Sequence, residues 1–332
     1  MTGADVLVTG ASGMLGAQLA RQLLKEGRQV RLLLRSPRHP MLEGLPLQQE
    51  AGNLESAADV ERAMRGCRTV FHVAGLVSYR RADAEALYRA NVVGTRNVVQ
   101  AALRCGVEKL VHTSSTAAVG WSATPDRVLD ETGIGEDELR RIPYAWTKRL
   151  GEEEVLGGVR EGLHAVIVNP GTIYGSGDVK RNTGGALLAL KRGRLLLVPP
   201  GGQSVVAVQD VVAGHLLALE RGAPGRRYIL AAENVSFKEL FARAARVLHV
   251  APPRGTLPPA TEGIVRFVAR VGEVVWPAGP LSLGACLMLY RYRYHEAARA
   301  RRELDWHPAV TLEEAVADAM RFYADGAFSV SG

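Results

Sequence analysis

The chain has 332 residues, 47% of them hydrophobic and 23% charged, with a formal net charge of +7. That apolar share easily supplies a buried core, and the basic residues are scattered, so they read as a solvated arginine-rich surface and not as a nucleic-acid footprint. Cys67, Cys105 and Cys286 are odd in number and far apart, which excludes a disulfide framework or metal-ligand spacing and suits a reducing compartment.

In chain order, residues 6–8 read as a buried strand, 14–26 as a helix and 30–34 as a second strand. Residues 70–73, 110–111 and 165–168 are further strands, and 54–66, 84–105 and 144–159 have helical spacing. Such alternation predicts an α/β fold with a doubly wound parallel sheet covered by helices on both faces. The pattern is lost after Gly175, where Pro199-Pro200-Gly201-Gly202 and APPRGTLPPA at 251–260 predict a smaller, loopier part. The division expected is a nucleotide-binding domain over 1–175, with one or two strands returning to its sheet from 203–230, and a mainly substrate-binding part over 176–332. The longest apolar stretch, LSLGACLMLY at 281–290, is about half a membrane span and reads as a buried helix. With a strand starting almost at Met1 in place of a signal peptide, a cytoplasmic protein without membrane insertion is expected.

The stretch TGASGMLG places Gly10, Gly13 and Gly16 at a strand-to-helix junction. Glycines there tolerate positive φ and let backbone N–H groups at the helix start approach a pyrophosphate. The spacing G-x-x-G-x-x-G departs from the dinucleotide fingerprint G-x-G-x-x-G, and a plain turn is the other reading. After the second strand the chain reads LLLRSPRH, with Arg35 where an NAD-binding acid would sit and Arg38 close behind. A guanidinium suits a 2′-phosphate, which favours NADP(H) over NAD(H) as cofactor; the alternative is two surface arginines.

Within YAWTK, Tyr144 and Lys148 lie four residues apart and so share a helix face. An ammonium near a phenol favours the phenolate, so the pair can pass a proton to or from a substrate oxygen. Upstream, KLVHTSSTAAVG runs from a strand into a hydroxyl-rich turn, from which Ser115 could hydrogen-bond the same oxygen. A simple capping cluster would look similar.

Together, TGASGMLG, FHVAG at 71–75, ANVVGT at 90–95, HTSS at 112–115, YAWTK, NPGTIYG at 169–175, VQDVVAGH at 208–215 and LDWHPAVTLEEAV at 304–316 resemble the extended short-chain dehydrogenase/reductase family over nearly the whole chain. The resemblance implies a Rossmann-type fold, a nicotinamide cofactor and a catalytic set of Ser115, Tyr144 and Lys148, with Lys148 holding the nicotinamide ribose and lowering the tyrosine pKa. It implies cofactor contacts from Gly10, Ser12, Gly13, Met14, Leu15, Gly16 and Arg35, from Asn53 and Leu54 near the adenine, and from Ala74 and Gly75. It also implies contacts from Thr113, Tyr144 and Lys148, and from Asn169, Pro170, Gly171 and Thr172 beside the nicotinamide. Asn91 matches a family asparagine near the site and reads equally well as an ordinary helix residue.

Two branches of that family compete. Dihydroflavonol 4-reductase-like enzymes reduce carbonyls with NADP(H); nucleotide-sugar epimerases use bound NAD and need cations for a diphosphate. Gln203 stands where the epimerase branch has an arginine, and Arg181, Arg192 and Arg194 are the candidate substitutes. Together with Arg35 this favours a reductase acting on a small, fairly apolar carbonyl or alcohol substrate. The alternatives are a sugar epimerase and a non-catalytic NADP(H) sensor. The expected pocket is lined by Val77, Trp121, Leu187, Leu188 and Leu196, no metal is expected, and a homodimer through the helices at 84–105 and 144–159 is anticipated.

Overall fold

The computed structural model describes residues 4–36, 39–276 and 282–324. Arg38 and Leu281 therefore lie outside the described residues. The first half runs β1 (Val6–Thr9), α1 (Met14–Lys25), β2 (Val30–Leu34), β3 (Gln48–Ala51), α2 (Ala57–Met64), β4 (Thr69–His72), α3 (Ala84–Tyr88), α4 (Gly94–Arg104), β5 (Lys109–Thr113), α5 (Glu136–Arg140), α6 (Pro143–Arg160) and β6 (Ala165–Pro170). A π-helical turn, Arg89–Val93, joins α3 to α4. The second half runs β7 (Thr172–Tyr174), α7 (Gly184–Lys191), β8 (Leu197–Val198), β9 (Gly202–Ala207), α8 (Val208–Arg221), β10 (Arg227–Leu230), β11 (Glu233–Ser236) and α9 (Phe237–Leu248). It ends with β12 (Gly255–Thr256), α10 (Glu262–Val275), α11 (Leu283–Leu289), β13 (Tyr292–Arg293), α12 (Ala298–Leu304) and α13 (Leu312–Ala324).

Seven strands form one sheet in the order β10-β6-β5-β4-β1-β2-β3, and every pairing is parallel. The fold is thus a Rossmann-like doubly wound α/β sheet. The interior strand β1 reads VLVT and is buried throughout, because helices cover both faces. On one face α1, α8 and α12 enclose a core with Leu19, Leu32 and Trp306; on the other, α2, α4 and α6 enclose Leu7, Val98 and Ile167. Burying each such side chain contributes roughly 1.5–3 kcal/mol.

The edge strand β3 reads QQEA and has no apolar periodicity; only its pairing with β2 makes it a strand. Of the segment 203–230, β10 joins the large sheet, whereas β9 does not. Instead β9 centres a second sheet, flanked by antiparallel β11 and by parallel β13 and β7. A third core packs α7, α9 and α13 against it. The second half is therefore more regular than its proline-rich composition suggests, because its helices pack on β9 and not on the main sheet.

Strand order reverses between β1 and β4, so a crevice opens at the carboxyl ends of β1, β4, β5 and β6. β6 runs through Gly171 directly into β7, which ties this edge to the second sheet.

Candidate active site

The glycine turn follows β1 into the crevice. Gly10 has φ +75°, and a Cβ there would lie 2.5 Å from the Ala74 nitrogen. Gly16 is helical, and its Cβ would lie 2.4 Å from the Gly10 carbonyl oxygen. Only the first of the three therefore needs positive φ; the third is required by close packing of helix on turn. Gly13 caps α1 without a side-chain bond, and the first turn carries no acid. The amides beyond Ser12, on Met14, Leu15 and Gly16, thus suit a pyrophosphate, so the donor set fits a dinucleotide.

Along the rest of the crevice, Arg35 follows β2 and is exposed. Asn53 and Leu54 follow β3; Asn53 Oδ1 accepts from the Glu55 amide at 3.2 Å, and Leu54 packs near Gly94. A Cβ on Gly75 would sit 3.6 Å from Lys148 Nζ and 3.1 Å from Asn91 Oδ1, so the backbone after Ala74 passes close to the amine. Asn91 lies on the π-helical turn, and its amide is engaged: Leu76 N donates to it at 2.8 Å, and it donates to Leu76 O at 3.0 Å and to Thr147 Oγ1 at 3.2 Å. It clamps the chain after β4 onto α6, a positioning task that a π-turn often serves at functional sites.

Tyr144, Lys148 and Glu152 lie on one face of α6, and all three are buried. Pro143 starts this helix at the position where its missing N–H is no loss. Ser115 stands beside Tyr144, where its hydroxyl favours the ionised phenol. Ser115 itself caps a short turn, accepting from the Ala117 amide at 3.1 Å. Tyr144 packs in an apolar cluster with Leu87, Trp121, Ile142 and Met288, and Tyr79 stands edge-on to it with ring centroids 5.7 Å apart. Burial pushes the phenol above its ordinary pKa; the neighbouring Ser115 hydroxyl and the Arg293 charge oppose that rise. The lowering anticipated from Lys148 is not what this geometry gives. The amine donates to the Thr113 carbonyl at 2.7 Å, and burial brings its own pKa down to about 8, with Glu152 acting in the opposite direction.

Sequence reasoning missed Glu152, although an acid four residues beyond Lys148 was a readable signal. Its carboxylate accepts from Ser114 Oγ at 2.5 Å and from Asn169 Nδ2 at 2.6 Å, and Arg227 Nε lies 3.1 Å away. Asn169 Nδ2 also donates to the Ser115 carbonyl at 3.0 Å. The turn of Asn169, Pro170, Gly171 and Thr172 is therefore fixed to the serine loop on one side, while Thr172 Oγ1 donates to Gln203 at 3.0 Å on the other. Gln203 in turn accepts from Arg293 at 2.6 Å. The guanidinium beside Gln203 thus comes from β13 and not from Arg181, Arg192 or Arg194.

Behind the lysine, the His72 and His112 rings lie 5.1 Å apart, fully buried. Burial, aided by the Lys148 charge, holds both imidazoles neutral, His72 down to about 3 and His112 well below its usual value. On the opposite face His215 bonds Thr113 Oγ1 at 2.7 Å and is lowered by burial to about 4. The expected pocket lining needs correction. Trp121 joins the Tyr144 cluster, but Leu187 and Leu188 pack into the third core, and Leu196 is exposed on the surface. Tyr79, Leu287 and Met288 take their place. Among the described residues no cluster of His, Cys, Asp or Glu could hold a metal, and no helix is long and apolar enough to cross a membrane.

Residues 6–231 match the NAD dependent epimerase/dehydratase family. A Synechocystis sp. protein provisionally named dihydroflavonol 4-reductase is 36% identical, covering 95% of this chain and 93% of its own. Sterol demethylase protein B of Methylococcus capsulatus is 32% identical, covering 96% of this chain and 98% of its own. The crystal structure of gox2253 superposes with a TM-score of 0.86 at 32% identity, covering 98% of this chain and 99% of that one.

Proposed function

The chain belongs to the NAD-dependent epimerase/dehydratase family and is an NAD(P)-dependent enzyme of the short-chain dehydrogenase/reductase type; from that premise we propose that it reduces a carbonyl of a small, fairly apolar substrate with NADPH. The observation that carries the reading is the buried Tyr144 beside Ser115, with Lys148 one turn along the same helix, anchored on Thr113 and close to Gly75. A bound nicotinamide supplies the hydride. Gly13 and the first amides of α1 would hold its pyrophosphate, Lys148 its ribose, and Arg35 a 2′-phosphate.

Tyr144 does the proton work. Burial keeps the phenol protonated, which suits delivery of a proton to a forming alkoxide, a far stronger base. Ser115 Oγ holds the same oxygen and shares its developing charge. Glu152 and Asn169 position the serine loop and the 169–172 turn against α6. Tyr79, Trp121 and Met288 exclude water and favour an apolar carbonyl compound. The substrate lies between this edge and the C-terminal half, and the chain pairs as a homodimer across α4 and α6.

The test is an assay of NADPH absorbance against a panel of aliphatic, steroid-like and polyphenol ketones. Bleaching on addition of a ketone is expected. Co-purified NAD with no net turnover would replace this reading with epimerisation. Arg35→Ser is expected to raise the KM for NADPH by roughly tenfold or more and to leave that for NADH unchanged, the loss of one charge-assisted contact.

A further inference from the structure

The α10 helix, EGIVRFVARVGEVV, is packed inside out. Ile264, Phe267, Val268, Val271, Val274 and Val275 recur at i, i+3, i+4, i+7, i+10 and i+11, which is one continuous helix face. That face points to solvent: Ile264 is 68% exposed, Phe267 69%, Val274 78% and Val275 78%, and Trp276 beyond the last turn is 64% exposed. Only Ala269 is buried. The inward face is held by polar contacts. Glu262 receives two bonds from Arg291 at 2.9 and 3.0 Å, Glu273 accepts from the Leu283 amide at 3.0 Å, and Thr261 meets the Tyr290 hydroxyl at 2.8 Å. A chain that only needed α10 to cover its core would place the acids outside and the valines inside. An exposed apolar face of this extent marks an interaction site.

The surroundings say what covers it. β12, which leads into α10, pairs with β8, and Arg254 N donates to Leu196 O at 2.8 Å. Leu196 and Leu197 are exposed there, 56% and 49%. Immediately before them stand Lys191, Arg192 and Arg194, exposed like Arg254 and Arg270. Among the described residues none of these five cations has a recorded acidic partner. Arg270 on α10, a tryptophan at the end of its apolar stripe, and the exposed cations of the β8–β12 edge that leads into the helix match the chemistry of an anionic lipid surface.

We propose that α10, with the β8–β12 edge, docks this protein on an anionic bilayer surface, its apolar face lying in the interface without spanning it. The α11 helix lies between α10 and the Tyr144 cluster, to which it contributes Leu287 and Met288. Resting on the reductase reading, the docked helix pair would open the site toward lipid-soluble ketones; docking itself does not depend on that reading.

The test is flotation of the full chain with vesicles of phosphatidylcholine alone and of phosphatidylcholine with phosphatidylglycerol, read alongside its mass by sedimentation velocity. A triple variant, Phe267→Ser, Val274→Ser and Val275→Ser, changes only exposed side chains. The parent is expected to float with the anionic vesicles, less so at high salt, and Trp276 to be quenched by brominated lipid. The variant should bind more than about tenfold more weakly at unchanged mass, since large apolar side chains drive interfacial burial. Absence of binding by the parent to anionic vesicles would overturn the proposal. So would a fall in oligomeric mass in the variant, which would assign the face to a second copy. Ketone turnover in solution is a separate readout, so its failure would not be mistaken for failure of docking.

Discussion

α6 and α10 both break the rule that polar residues face out and apolar ones in, and they break it in opposite senses. α6 turns a phenol, an amine and a carboxylate into the protein, and the chain itself supplies their partners: Ser115, Thr113, Ser114, Asn169 and Arg227. α10 turns valines and a phenylalanine into solvent, and the described residues supply nothing to cover them. A violation satisfied from within points to chemistry held in place, and one left open points to a partner outside.

The sharpest way to break this comparison is at the phenol. Tyr144→Phe keeps the ring in its apolar cluster and removes the proton. Ketone turnover should fall about 10²- to 10⁴-fold, with NADPH affinity by fluorescence titration nearly unchanged. Equal turnover would remove Tyr144 from the chemistry. Next comes Glu152→Ala, which strands Arg227 beside an emptied, buried position. A loss of about 3–5 kcal/mol in urea unfolding is expected, as for other broken buried ion pairs.

Acid offers a third test. The folded values of His72 and His215 are lowered by burial to about 3 and 4, against an unfolded 6.5. Between those values the unfolded chain binds more protons, so stability must fall as pH drops below 6.5. Each imidazole forfeits about 1.4 kcal/mol per pH unit until its folded value is reached. Unfolding midpoints that stayed flat from pH 6.5 to 5 would contradict the burial of these rings. Smallest is the effect at α10, where the triple serine variant should change stability by no more than about 0.5 kcal/mol per site, because none of the described residues covers those side chains. A larger loss would mean that the face is covered in the free protein.

The alternating apolar runs and the YAWTK spacing made the sheet and helix α6 legible, because both are local patterns. β3 was not legible, since QQEA becomes a strand only through its neighbour β2. Arg293 was invisible for a similar reason: it meets Gln203 across 90 residues of sequence, and only the second sheet brings them together. Helical periodicity in EGIVRFVARVGEVV shows that a helix has an apolar face but not which way that face turns. The pKa expectation for Tyr144 failed because sequence spacing gives the proximity of an amine and says nothing about the depth of burial.

The account rests on net hydride transfer governed by Tyr144. The most direct measurement is incubation with NADPH deuterated at the transferring position, together with a turned-over ketone, followed by mass spectrometry of the product. One deuterium on the carbinol carbon for each NADP⁺ formed, lost together in Tyr144→Phe, is the predicted result. Product formed without deuterium, or with no NADP⁺ released, would contradict it.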